Sequence, residues 1–180
     1  MRAKLALLLF FLLAPQARAD AKISEIKVSL DGDRVLASFT LRDAFDRRLS
    51  ERVDSGLPTS ILYRFVLDRD RKRWWDRQLR ENTLEVVATY DAVARAYTVH
   101  YKLEDKLIES RTVRERKALE EAMTVVDQLP VFSLAGLSPG WRLVLKVQAE
   151  MGSRTILSFI PVTINTDWKE SPKFRVPRQP

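Results

Sequence analysis

The residues best suited to binding chemistry lie in one stretch, DRDRKRWWDRQLR, from Asp68 to Arg80. Its arginines alternate first with aspartates and then meet two adjacent tryptophans. Guanidinium groups bind phosphate and carboxylate in a forked geometry, and indole rings stack on cations and on planar groups. We therefore predict a binding surface here. Its predicted contact residues are Arg69, Arg71, Arg73, Trp74 and Trp75.

A hairpin with a solvated, charged tip is the alternative interpretation of the same stretch, with arginine stems covering one tryptophan on the core. The aspartates of the stretch partly neutralise its arginines, which weakens long-range attraction of anions. If the preceding strand continued, however, neighbouring residues would point to opposite faces. One of Trp74 and Trp75 is then expected to be partly exposed, which keeps the binding interpretation open.

Signals of catalysis are weak. His100 is the only histidine and lies on the polar side of an alternating segment, and the chain has no cysteine, so no zinc site is expected. Glycine-rich phosphate loops and a nucleophile elbow are absent from the sequence. We predict no catalytic residue, metal ligand or cofactor. A hydrolase of envelope glycan or lipid that uses two carboxylates is the alternative. The acids considered for it are Asp43, Asp46, Glu104 and Asp105.

The N-terminal segment predicts export. Arg2 and Lys4 precede an unbroken apolar run over residues 5–14, and the small residues Ala17 and Ala19 follow. That order is typical of a secretory signal peptide, here residues 1–19. The run is about half the roughly twenty residues that a membrane span needs, so the mature chain is expected to have no transmembrane span. The predicted location is the periplasm of a Gram-negative-type bacterium.

The charge of the mature chain is only mildly basic. Residues 1–19 hold three of the 31 lysines and arginines and none of the 24 acids, so their removal lowers the net charge from +7 to +4. Together with export, this argues against a nucleic-acid partner. No repeat or linker divides the remainder, and we predict one β-rich domain at residues 20–165 followed by an irregular C-terminal tail at residues 166–180.

Alternation of apolar and polar residues predicts strands through most of the chain. Residues 26–30 and 35–41 alternate on either side of Asp31-Gly32, a dipeptide favoured in tight turns, and so predict a β-hairpin. Further strands are predicted at residues 61–67, 84–90, 97–103 and 141–147. Residues 156–164 are apolar at both parities, which suggests a strand covered on both faces, such as a central strand under a helix.

Two segments predict helices. Thr112 and Glu115 match a capping box, and apolar residues then recur at helical spacing to Leu129, before Pro130. A shorter helix is expected from Asp43 to Val53, with Gly56 available to end it. The predicted fold is mainly β: an antiparallel β-sandwich with one long amphipathic helix and one short helix. An incomplete barrel closed by the long helix is the alternative.

The order of these segments resembles that of a bacterial exported family classed only as a domain of unknown function. The resemblance lies in LRDAFDRRLSERVDSGLP at residues 41–58, RKRWWD at residues 71–76 and Tyr90-Asp91, followed by a helix ending near Pro130. It covers most of the mature chain. Because members are often encoded beside a nitrogen-regulation-type membrane sensor kinase, the resemblance implies an envelope role linked to signalling. It implies no activity and no catalytic residues.

These observations favour a non-enzymatic binding or accessory module of the cell envelope. Its expected partners are an envelope protein or an anionic lipid or glycan. A structural or assembly factor that docks through the long helix is a third hypothesis, which exposed apolar residues on that helix would support.

Overall fold

The protein was analysed in a computed structural model that describes residues 21–71, 77–156 and 160–178. The predicted signal peptide lies outside these residues. The described chain forms twelve strands and two helices. The strands are β1 (Lys22–Ile23), β2 (Lys27–Asp31), β3 (Arg34–Arg42), β4 (Thr59–Arg69), β5 (Arg77–Asp91), β6 (Ala96–Leu103), β7 (Lys106–Val113), β8 (Val125–Ser133), β9 (Arg142–Ile156), β10 (Ile160–Asn165), β11 (Lys169–Glu170) and β12 (Phe174–Arg175). The helices are α1 (Arg47–Asp54) and α2 (Arg116–Thr124).

The smaller sheet is built around β3. Strands β1 and β2 pair with successive parts of β3, and β8 pairs with residues 34–40 of it, all antiparallel. Strands β2 and β3 form the predicted hairpin, with Asp31 opposite Arg34 and Gly32 at φ +61° in the turn. That prediction is confirmed because the turn residues and the alternation on both sides are local signals.

The larger sheet has the strand order β10-β9-β4-β5-β6-β7, and all of its described pairings are antiparallel. The short strands β11 and β12 also pair with β9, so three C-terminal strands follow one another along its outer edge. The C-terminal residues 166–178 thus contain two short strands. The proposed division between domain and tail stays a prediction.

Alternate residues of both sheets face one shared core. In β4 the residues at positions 59, 61, 63, 65 and 67 are buried, as period two requires, and Asp68 near the end of the strand is buried as well. The ring of Phe39 on β3 lies 5.4 Å from the ring of Tyr63 and 6.1 Å from that of Phe65, so the sheets meet face to face there. The mainly β, antiparallel prediction is confirmed, and the described strands do not form a closed barrel.

Helix α1 confirms the shorter predicted helix, although it begins at Arg47 rather than at Asp43. Asp46 caps it, because its carboxylate accepts a hydrogen bond of 2.9 Å from the backbone N–H of Leu49. Asp43 is outside the helix, at φ +58°, and Gly56 follows its end at φ +79°.

The prediction of one long helix is wrong in length. Helix α2 has nine residues, Thr112 lies in β7, and Glu115 caps the helix without a side-chain hydrogen bond, so the predicted capping box does not form. The hydroxyls of Tyr63 and Tyr101 donate to the carbonyl oxygens of Met123 and Ala122, at 2.8 and 2.7 Å, which satisfies acceptors at the helix end. Residues beyond Thr124 then pair with β3 as strand β8, and Pro130 lies within that strand beside a register shift.

The segment at residues 156–164 also differs from its prediction. It is not one central strand, because Ile156 ends β9 and pairs with Ile160, the first residue of β10. Strand β10 lies at an end of the strand order, and residues 157–159 are outside the described chain. Among the residues that the structure describes, no helix is long and apolar enough to span a bilayer.

Candidate functional site

The described parts of the arginine-tryptophan stretch meet at one end of the larger sheet. Strand β4 ends at Arg69 and β5 begins at Arg77, and these two residues are registered partners. The backbone N–H of Asp70 donates to the carbonyl oxygen of Arg142 at 2.9 Å, which brings the start of β9 to the same place. We call this region, residues 69–71, 77, 141–142 and 173–175, the arginine end. The predicted contact residues Arg73, Trp74 and Trp75 lie outside the described residues.

Arg69 is held by a tryptophan that the sequence analysis did not connect with it. Its guanidinium carbon lies 3.7 Å from the ring centroid of Trp141, within cation–π distance. Trp141 is positioned by the backbone on both sides, since its N–H donates to Ser138 and its carbonyl oxygen accepts from Val176. Strand β4 ends at Arg69, after a register shift between Leu67 and Asp68, and the residues from there to Trp75 that would show whether an extended strand continues lie largely outside the described chain.

Asp70 makes ion pairs with two basic residues that are far from it in sequence. One oxygen of its carboxylate lies 2.5 Å from a guanidinium nitrogen of Arg142 and 3.1 Å from the Nζ atom of Lys173. The hydrogen bond from Lys173, together with Arg142, holds the pKa of Asp70 below its usual value. Asp70 therefore stays ionised and fixes the C-terminal segment against β9.

Asp68 is buried, and it too pairs with residues outside its own stretch. Its carboxylate lies 3.0 Å from the Nζ atom of Lys146, which also lies 3.1 Å from a carboxylate oxygen of Glu170 on β11. The hydrogen bond with Asp68, reinforced by Glu170, raises the pKa of Lys146. Asp68 and Asp70 thus form ion pairs with basic side chains of β9 and of the C-terminal segment. They also lie beside the arginines of their own stretch in the sequence.

Arg80, the last residue of the stretch, joins the two sheets. Its guanidinium group donates to the carbonyl oxygens of Ser133 and Ala135, at 2.6 and 2.7 Å. Next to it, the buried amide of Asn82 donates to the carbonyl oxygen of Val131 at 2.9 Å. These contacts give Arg80 a structural role that no local sequence signal indicates, because its partners lie more than fifty residues away.

A cleft of about 800 Å³ adjoins the arginine end. The β2–β3 turn, the loop between β8 and β9 and the C-terminal segment form its walls. Leu134, Leu137 and Val176 give it an apolar lining, and Asp33 and Arg178 add opposite charges. Val176 links the cleft to the arginine end through its hydrogen bond with Trp141. No local sequence signal indicates this cleft, because its walls come from three segments that are distant in sequence.

The remaining candidates for catalysis lie in a strand pair, at a helix cap and in turns. The Nδ1 atom of His100 lies 2.8 Å from the hydroxyl of Ser110 on the neighbouring strand. Asp46 is the cap of α1, and Glu104 and Asp105 form the β6–β7 turn, both at positive φ. Within the described ranges, no group of three or more histidine, cysteine or acidic side chains is arranged to hold a metal ion.

The geometry defines a mainly β protein of two antiparallel sheets, with charge-bearing residues gathered at one end of the larger sheet. The family model for the domain of unknown function DUF4390 matches residues 18–173 of the chain. Since that match covers most of the chain, the protein belongs to this family. No curated protein and no solved structure matches the chain.

Proposed function

We propose that the protein is a non-enzymatic binding module of the cell envelope, a β-sandwich that contacts an anionic envelope component through its arginine end. The predicted signal peptide at residues 1–19 would deliver it to the periplasm, and the implied link to a sensor kinase would give the module a role in envelope signalling. The contact residues proposed are Arg69, Arg71, Arg73, Trp74 and Trp75.

The concentration of charge at the arginine end carries this proposal. Residues 69–71, 77, 142 and 173–175 contain six basic side chains and one acid, although the mature chain as a whole is only mildly basic. The one acid, Asp70, is already bound by Arg142 and Lys173. Clustered cations of this kind raise the local concentration of anionic ligands.

The fixed position of Arg69 supports the same interpretation. Because its guanidinium group is stacked on Trp141, it loses less conformational freedom on contact with a ligand than a free arginine would. A phospholipid fits this region in two ways: its phosphate group suits the cations, and its acyl chain suits the apolar wall of the neighbouring cleft.

Vesicle flotation tests the proposal. We expect the purified protein to float with vesicles that contain phosphatidylglycerol and not with phosphatidylcholine vesicles, and we expect added salt to weaken the association. The double variant Arg71→Glu/Arg73→Glu should bind about tenfold more weakly or worse, because each basic residue near an anionic surface contributes roughly 1 kcal/mol.

A matched control has the same change in net charge on the two helices, Arg47→Glu/Lys117→Glu. If this control weakens binding as much as the arginine-end variant, the association reflects net charge alone and the assigned surface is wrong. If the wild-type protein does not float with phosphatidylglycerol vesicles even at low salt, the lipid is excluded. A protein partner for the same surface is then the hypothesis to test, by comparing the proteins retained by the wild type and by Arg71→Glu/Arg73→Glu.

A further inference from the structure

Strand β7 leaves one edge of the larger sheet open. In the part of the chain that the structure describes, β7 pairs with β6 alone. Seven of its eight residues are exposed, and the side chains of Leu107 and Ile108 are 61% and 48% exposed. An exposed strand edge offers a row of backbone donors and acceptors for another strand, and apolar side chains on it favour that contact.

We propose that β7 pairs edge to edge with β7 of a second copy of this chain, antiparallel and about a two-fold axis at Ser110. Two identical strands related in this way present the same surface to each other, as a symmetric dimer requires. The pairing would join the larger sheets of two protomers into one continuous sheet. It uses a surface separate from the arginine end, so it does not depend on the proposed function.

The charges on β7 select this register. Glu109 and Arg111 flank Ser110, so a two-fold axis at Ser110 sets Glu109 of each copy opposite Arg111 of the other. Opposite charges facing each other stabilise an antiparallel pair, and like charges destabilise it. If the axis moved by one residue, Glu109 would face Glu109 or Arg111 would face Arg111.

The same two side chains are already arranged on one face. Arg111 and Glu109 form an ion pair, and the Arg111 guanidinium lies 5.1 Å from the ring centroid of Tyr101, a residue whose side chain points to the core face of β6. Arg111 also holds the pKa of Glu109 below its usual value, so Glu109 is ionised at neutral pH. In the dimer the four charges would form one alternating group at the axis.

Charge reversal and restoration test this register. Small interfaces associate weakly, so association is followed by sedimentation equilibrium up to the highest soluble concentration. We expect wild-type protein to dimerise, and Glu109→Arg or Arg111→Glu to dimerise about tenfold more weakly, because each creates two like-charge contacts. The double variant Glu109→Arg/Arg111→Glu should recover the wild-type affinity.

Two controls separate this effect from misfolding and from general charge. Urea unfolding of each variant shows whether the fold is retained. Glu85→Lys changes the charge at an ion pair with Lys102 on the neighbouring strands and should leave dimerisation unchanged. The proposal is wrong if the wild type stays monomeric at every concentration, or if the double variant dimerises no better than the single variants.

Cross-linking locates the axis directly, since the natural chain has no cysteine. In Ser110→Cys the two thiols would lie opposite each other, at a separation close to that of a disulfide, and mild oxidation should give a covalent dimer. Ser29→Cys is the matched control, on the exposed strand β2 of the other sheet. Cross-linking of Ser29→Cys without cross-linking of Ser110→Cys would refute the β7 interface.

Discussion

The outer edges of β9 and β7, on opposite sides of the larger sheet, differ in whether another segment of the chain pairs with them. On one side, β10, β11 and β12 pair along the outer edge of β9, and buried side chains of the C-terminal segment complete the hydrogen bonds between them. On the other side, β7 is exposed on both faces, and no described segment pairs with its outer edge. The chain therefore covers the outer edge of β9 with short strands of its own C-terminal segment, whereas the outer edge of β7 has no partner among the described residues.

This difference separates residues that stabilise the protomer from residues available for contacts with other molecules. Buried Thr166 and Ser171 each exchange hydrogen bonds with the backbone of β9, as a further strand would. Polar side chains on β7 have solvent as an alternative partner. Loss of a hydrogen-bonding group should therefore cost much more at the β9 edge than at the β7 edge.

The largest effect is expected from Thr166→Val and Ser171→Ala. Each removes an acceptor for a backbone N–H of β9, that of Ala149 at 3.0 Å or that of Leu145 at 3.0 Å, and leaves it buried without a partner. The free energy of unfolding should fall by about 1–3 kcal/mol for each substitution. Urea unfolding monitored by circular dichroism measures this change.

The matched substitutions on β7 are Ser110→Ala and Thr112→Val. Both residues are exposed, so each should change the free energy of unfolding by about 0.5 kcal/mol or less. Equal losses at the two edges would contradict the distinction between a covered and an open edge.

The second prediction compares two tyrosines that bind the end of α2. Tyr63 of β4 is fully buried, whereas Tyr101 of β6, next to the open edge, is 8% exposed. Tyr63→Phe should lower the free energy of unfolding by about 1–1.5 kcal/mol, since the Met123 carbonyl oxygen would lose its donor with no access to water. Tyr101→Phe should cost less, because water can reach the Ala122 carbonyl oxygen more easily. Urea unfolding distinguishes the two, and a larger loss for Tyr101→Phe would show that the open edge is not more accessible.

The sequence predicted best those elements whose signals are local. The β2–β3 hairpin and the strands at residues 61–67 and 97–103 follow directly from turn residues and alternation. Strand β7 was missed because exposure on both faces removes the alternation that identifies a half-buried strand. Helix α2 was extended too far because residues 125–129 fit helical spacing, but they pair with β3, a strand almost ninety residues earlier.

The site could be predicted only in part for the same reason. The sequence identified the arginines of the stretch, and the structure explains two of them by partners that are distant in sequence: Trp141 for Arg69, and the carbonyl oxygens of Ser133 and Ala135 for Arg80. A register between β4 and β9 brings Arg69 and Trp141 together, and no pattern within either segment specifies that register. The cleft depends on three segments and was equally inaccessible to local reasoning.

The smallest expected effect is on the pH dependence of the free energy of unfolding. The two carboxylates compared are Asp70, which pairs with Arg142 of β9, and Glu109 of β7. Arg142 and Lys173 lower the pKa of Asp70, whose side chain is 9% exposed, and Arg111 lowers that of Glu109, which is 46% exposed. A carboxylate with a lowered folded-state pKa stabilises the fold above its unfolded pKa, near 4, and loses that contribution as the pH falls through the folded-state value. Asp70→Asn and Glu109→Gln should each reduce the acid sensitivity of the free energy of unfolding.

In about 1 M salt, where the Debye length is about 3 Å, only the Asp70→Asn difference should persist, because the Glu109 pair is screened by solvent ions. Urea unfolding at a series of pH values, at a protein concentration too low for dimerisation, measures both. Persistence of the Glu109→Gln difference in high salt would mean that this carboxylate is shielded from solvent, and that the β7 edge is covered after all.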